Sequence, residues 1–97
     1  MDKPIAQQAP ARVDITFVFM ELGAEKVMLC GDFNGWSRES TPLKRSEKGH
    51  WETTLALAPG RYQYKFLVDG EWIPDPLAQD HAWNQHGTLN SVVEVRV

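Results

Sequence analysis

The segment Tyr62–Ile73 constrains the fold more than any other part of the chain. Tyr62, Tyr64, Phe66 and Val68 alternate with Gln63, Lys65 and Leu67, which is the two-residue period of a β-strand. The next two residues, Asp69-Gly70, are a favoured sequence for a type I′ turn, and Glu71–Ile73 then returns along the same strand. The sequence therefore predicts a tight hairpin whose aromatic face is turned toward a core.

Short strand patterns separated by turn residues recur along the rest of the chain. We predict about seven strands, at residues 13–19, 26–30, 43–45, 50–57, 61–68, 71–73 and 89–97. Pro74 and Pro76 cannot donate to a β-ladder, so residues 75–87 are expected to form a long loop. The pattern indicates an all-β, immunoglobulin-like antiparallel sandwich over residues 13–97, preceded by a flexible tail at residues 1–12.

Composition narrows the function classes. The 97 residues suffice for one domain, and 42% of them are hydrophobic, which is enough for a packed core. A net charge of -3 with no basic cluster argues against nucleic-acid binding. No apolar run reaches the length of a membrane span or a signal peptide, so we expect a cytoplasmic protein without membrane contact. The single cysteine, Cys30, excludes an internal disulfide and is expected to be buried.

Two of the four tryptophans are candidate ligand contacts. The predicted hairpin sets Leu67 opposite Trp72, so Trp72 and its diagonal neighbour Lys65 share the face that points away from the core. An indole offers a flat surface to the apolar face of a pyranose ring, and a lysine can donate to its hydroxyls. Trp36 lies in a Gly- and Asn-rich loop where no strand has to bury it. The alternative is that Trp72 covers the outer face of its sheet and Trp36 closes one end of the core. Trp51 shares a strand face with Leu55 and Leu57 and is expected to be a core residue.

Three motifs in order resemble a known family. They are GDFNGW at Gly31–Trp36, YQYKFLVDGEWIPDP at Tyr62–Pro76 and GTLNSVVEV at Gly87–Val95. Together they resemble the glycogen-binding module of the AMP-activated protein kinase β subunit and the related domains before glycogen branching enzymes and isoamylases, grouped as carbohydrate-binding module family 48. The resemblance extends from about Val13 to Val97.

The resemblance implies a set of sugar-binding residues: Trp36, Lys65, Trp72, Thr88 and Asn90. It also includes His86, which stands where the kinase-type module has a leucine that projects past the sugar chain. Trp83 lies in the same segment but is outside the family pattern. It either supplies the apolar contact that His86 lacks or folds back on the sheet.

The resulting functional hypothesis is non-catalytic binding of α-1,4-linked glucans such as glycogen, starch or maltooligosaccharides, without a cofactor. The competing hypothesis is a scaffold module that packs against an enzyme or kinase partner and binds sugar weakly. An enzyme is disfavoured because the candidate acids fall in turns and loops, at Asp32, Glu71, Asp75 and Asp80. His81 and His86 near Asp80 match no strong metal-ligand spacing, so no metal site is expected.

Overall fold

The computed structural model describes residues 11–21 and 23–97. It contains eight strands: β1 (Val13–Phe19), β2 (Val27–Gly31), β3 (Lys44–Arg45), β4 (Trp51–Leu57), β5 (Gly60–Val68), β6 (Glu71–Ile73), β7 (Asp80–Trp83) and β8 (Leu89–Val95). A 3-10 turn, Asp32–Asn34, follows β2. Among the described residues, no helix is long and apolar enough to cross a membrane. Most of the predicted tail, residues 1–10, lies outside the described part of the chain.

The strands form two antiparallel sheets. One sheet has the order β1-β4-β3, and the other has the order β2-β5-β8-β7, with β6 also paired to β5. The turn after β5 has positive φ at both central residues, 48° at Asp69 and 87° at Gly70, as a type I′ turn requires. Phe66 pairs with Ile73 and Leu67 with Trp72, which is the register expected from a two-residue turn. The predicted antiparallel sandwich is confirmed.

Alternating side chains from both sheets fill the space between them. Phe17 and Tyr64 approach to 5.0 Å between ring centroids across the sheets, and Phe19 and Phe66 approach to 5.2 Å. Trp51 is buried in the same core cluster, as its strand pattern predicts. Because β5 gives its aromatic face to this core, its polar face is left to line the outside of the larger sheet.

The prediction of an uninterrupted loop over residues 75–87 is wrong. Residues Asp80–Trp83 form β7, an edge strand that pairs with β8 from Asp80↔Val92 to Trp83↔Leu89. The strand was missed because it has four residues, carries Asp80 and His81, and buries none of its side chains. An edge strand needs no apolar alternation to be paired, so its sequence resembles that of a loop.

Candidate functional site

An open groove of about 1100 Å³ lies along the outer face of the larger sheet. The structure brings all six expected site residues to it: Trp36, Lys65, Trp72, His86, Thr88 and Asn90. They come from four places in the chain, namely the loop after β2, the middle of β5, strand β6, and the β7–β8 connection with the start of β8. Sheet pairing brings these parts of the chain together. Tyr64 at the centre of β5 pairs with Gly31, at the end of β2, and with Ser91, in β8.

The rings of Trp36 and Trp72 form an aromatic corner in this groove. Their centroids are 6.3 Å apart, and the two planes meet at 61°. Trp72 is 39% exposed and Trp36 is half-buried, so both indoles keep accessible surface. Two flat, angled surfaces of this kind can contact adjacent rings of a curved ligand.

The position of Trp36 is fixed by its own loop. Its backbone is left-handed, with φ of 60°, and its amide donates to the Gly31 carbonyl at 2.9 Å. Its indole Nε1 donates to Asp32 Oδ1 at 3.1 Å, while Asp32 Oδ2 accepts from the Gln63 amide at 2.8 Å. Asp32 therefore ties the indole to β5, which gives this carboxylate a positioning role.

Three motif residues hold the Trp36 loop against the sandwich. Asn34 Oδ1 accepts from the Gly31 amide at 3.1 Å, and its Nδ2 donates to the Leu29 carbonyl at 2.9 Å. The ring of Phe33 packs beside Phe17, with 5.6 Å between centroids. Gly31 must be a glycine because a Cβ there would lie 2.7 Å from the Gln63 carbonyl oxygen. Gly31, Phe33 and Asn34 of the GDFNGW motif thus have structural roles in holding the loop that carries Trp36.

Lys65 presents a buried cation to the floor of the groove. The residue is 7% exposed, and its Nζ donates to Thr88 Oγ1 at 2.9 Å. An ammonium group has three donors, so two remain for other acceptors. No ion pair among the described residues involves Lys65. A buried charge without a carboxylate partner favours a ligand that carries oxygen acceptors.

Asn84 organises the polar end of the groove, and the sequence interpretation missed it. Its Nδ2 donates to Thr88 Oγ1 at 2.7 Å and to Asn90 Oδ1 at 3.0 Å. Its Oδ1 accepts from the amides of His86 at 2.9 Å and Thr88 at 3.1 Å. Asn90 Nδ2 in turn donates to Gln63 Oε1 at 2.9 Å. The sequence signal was available in NQHG, since an asparagine that bonds nearby amides is typical of such turns.

A second cation, Arg38, was also missed. Its guanidinium carbon lies 5.6 Å from the centroid of the Trp72 ring, within the range of a cation–π contact. Arg38 lies in the segment after the motif, where no pattern fixes its direction. Together with Lys65 it makes the groove locally cationic although the chain is acidic.

His86 and Trp83 lie at the margin of the groove. His86 is exposed, and only its backbone amide is engaged by Asn84. Trp83, the last residue of β7, is 72% exposed and does not fold back on the sheet. Both side chains line the groove.

The remaining candidate acids have structural partners or lie outside the groove. Asp75 is buried and accepts from the Tyr64 hydroxyl at 2.6 Å, and burial together with this contact raises the pKa of Tyr64 well above its usual range. Asp80 pairs with Arg61 at 2.9 Å, which lowers the pKa of Asp80. Over residues 11–21 and 23–97, no group of three His, Cys, Asp or Glu side chains is arranged to hold a metal ion.

Cys30 is fully buried beneath this site, as expected for a small apolar residue. It pairs with Lys65 across β2 and β5, so the two side chains share the outer face of the sheet. Burial raises the pKa of its thiol, and the nearby charge of Arg38 opposes that shift to a smaller extent. Cys30 therefore serves as packing under the groove.

Comparison with solved structures defines the class of fold. A maltogenic amylase from S. marinus matches with a TM-score of 0.74 and 21% identity, over 90% of this chain and 14% of the amylase chain. At this identity the likeness shows the fold alone: the chain is a β-sandwich of the kind found as one part of a larger enzyme.

Comparison with sequence families is more specific. Residues 13–97 match the family described as the glycogen recognition site of AMP-activated protein kinase, and the chain belongs to this family. The β-1 subunit of 5'-AMP-activated protein kinase from Rattus norvegicus is 37% identical over 98% of this chain. Protein FLOURY ENDOSPERM 6, chloroplastic, from Oryza sativa subsp. japonica is 39% identical over 74% of it. The matched regions cover 34% of the rat protein and 13% of the rice protein.

Proposed function

We propose that residues 13–97 form a non-catalytic module that binds α-1,4-linked glucans in the groove. The observation that carries the proposal is the aromatic corner of Trp36 and Trp72 beside the buried ammonium of Lys65. The indoles would stack on the C–H faces of successive glucose rings, and Lys65, Thr88 and Asn90 would bond their hydroxyls. Family membership supports the same ligand class.

The polar network favours binding over catalysis. Of the four candidate acids, Asp32 alone lines the groove, and both of its oxygens already accept hydrogen bonds from Trp36 and Gln63. A glycosidase needs one acid and one base on opposite sides of the scissile bond. A carboxylate held by two protein donors is suited to positioning an indole. We therefore include the absence of catalysis in the proposal. We also propose a cytoplasmic location, which is the location expected from the sequence.

Isothermal titration with maltoheptaose tests this proposal. We expect the wild-type chain to bind, and we expect Trp72→Ala to weaken binding by roughly 2- to 12-fold, because it removes one of two stacking surfaces. Met20→Ala is the matched control, since Met20 is 60% exposed and does not line the groove. No binding heat with the wild type at millimolar ligand would contradict the proposal. Equal binding by Trp72→Ala would contradict the assigned site.

A scaffold role is the second candidate function. It is favoured by β1, an edge strand, and by a second groove of about 610 Å³ that β1 lines together with β8. A longer protein related to the rat kinase subunit would bring neighbouring parts to such an edge. Retention of one stoichiometric protein partner that maltoheptaose does not displace, with no glucan binding, would favour this role over the first.

A further inference from the structure

Trp83 is the most exposed tryptophan of the chain. It is 72% exposed, whereas Trp51 is 8% exposed and Trp72 is 39% exposed. A tryptophan side chain buries 150–250 Å² when it is packed, so leaving it in water forgoes a large favourable contact. Most of the Trp83 indole therefore takes no part in packing the sandwich. Its surroundings, in contrast, are those of the groove.

The backbone that carries Trp83 is firmly held. Trp83 pairs with Leu89 at the end of β7. The next residue, Asn84, accepts hydrogen bonds from two backbone amides and donates to two side-chain oxygens. The Asn84 amide also donates to the Thr88 carbonyl at 2.8 Å. An indole on an anchored strand end loses little backbone entropy when it contacts a ligand.

The groove extends beyond the aromatic corner, since residues from the β7–β8 connection also line it. Its volume of about 1100 Å³ slightly exceeds the range of roughly 300–1,000 Å³ for small-molecule sites. Trp36 and Trp72 touch each other, so they occupy one part of it. Trp83 lines it together with Gln85 and His86, from the connection that follows β7.

We propose that Trp83 is a further sugar-stacking residue, which contacts a glucose unit beyond those held by the aromatic corner. The ligand class that it selects is a longer linear α-glucan, because Trp83 lines the same groove from β7, whereas Trp36 and Trp72 line it from the loop after β2 and from β6. This inference rests on the proposed function. It assigns to Trp83 the dependence of affinity on chain length.

The test compares maltotriose with maltoheptaose by isothermal titration. Trp83→Ala is expected to raise the Kd for maltoheptaose by roughly 2- to 12-fold, the range for one aromatic contact, and to leave the Kd for maltotriose within about twofold. Trp83→Phe, which keeps an aromatic plane, is expected to recover most of the loss. Leu77→Ala is the control, because Leu77 is 61% exposed and lines the second groove.

The outcomes separate this inference from the proposed function. If the wild type binds maltoheptaose and Trp83→Ala binds both ligands with unchanged Kd, the inference is wrong and the function stands. An equal loss for both ligands also overturns it, since Trp83 would then not be specific to longer chains. If the wild type binds neither ligand, the proposed function is wrong, and the inference that rests on it is wrong as well.

Discussion

The left-handed backbone of Trp36 gives a prediction that links stability to binding. Its φ of 60° is a left-handed backbone conformation, which costs a residue with a Cβ roughly 1–2 kcal/mol and which glycine adopts without strain. Trp36→Gly and Trp36→Ala both delete the indole, its bond to Asp32 and its contact with Trp72. The two variants therefore differ in the strained Cβ and in the larger backbone freedom that glycine loses on folding.

The magnitude follows from two opposing effects. Removing the Cβ relieves about 1–2 kcal/mol of strain. Glycine also loses more freedom on folding, which costs about 0.5–1 kcal/mol. The net difference favours Trp36→Gly over Trp36→Ala by about 0–1.5 kcal/mol; its midpoint of about 0.75 kcal/mol corresponds to about 3–6 °C in Tm for a chain of this length. Urea unfolding and calorimetry measure both quantities.

A matched pair at Thr54 supplies the control. Thr54 is exposed in the middle of β4, where the backbone is extended, so Thr54→Ala should be more stable than Thr54→Gly by about 0.5–1 kcal/mol. The difference in stability between the glycine and the alanine variant should thus have opposite signs at Trp36 and at Thr54. If Trp36→Ala is as stable as Trp36→Gly or more so, Trp36 is not strained. Both Trp36 variants should lose maltoheptaose binding equally, because the indole is absent from each.

Two further substitutions test the site floor and the core. Lys65→Met keeps the buried stem and removes the ammonium, so the Kd for maltoheptaose should rise roughly tenfold or more while the protein stays folded by circular dichroism; unchanged affinity would exclude a sugar contact at Lys65. Tyr64→Phe removes the hydroxyl that donates to Oδ2 of buried Asp75 at 2.6 Å, while the Leu77 amide still donates to Oδ1, and it should lower the free energy of unfolding by about 2 kcal/mol at pH 7. Because the folded pKa of Tyr64 is raised, its contribution is complete below the unfolded pKa of about 10 and is lost as pH rises beyond it, so the difference between wild type and Tyr64→Phe should shrink above pH 10.

The fold was predictable where burial imposes a period on the sequence. The alternation in β5 and the Asp69-Gly70 turn determined the hairpin register, and the register placed Lys65 and Trp72 on one face. β7 could not be predicted in this way, because an edge strand with exposed side chains has no burial pattern.

The candidate site was predictable where a motif carries it and unpredictable where tertiary contacts create it. Nothing local in the sequence indicates that Asp32 binds the Trp36 indole or that Arg38 lies over Trp72. Both contacts depend on how the loop after β2 meets β5 and β6. Asn84 lies between these two cases. The sequence NQHG indicates a turn at Asn84, but it does not predict the hydrogen bonds from Asn84 to Thr88 and Asn90.

A nuclear magnetic resonance titration of the tryptophan indoles with maltoheptaose tests the central claim most directly. The account predicts that the Nε1–H signals of Trp36 and Trp72 shift with ligand, while that of buried Trp51, which donates to the Glu21 carbonyl, stays in place. Absence of any shift at millimolar ligand would contradict glucan binding. In the same titration, backbone amide shifts confined to residues of the second groove, such as Leu77, with unchanged Trp36 and Trp72 indole signals, would contradict the site.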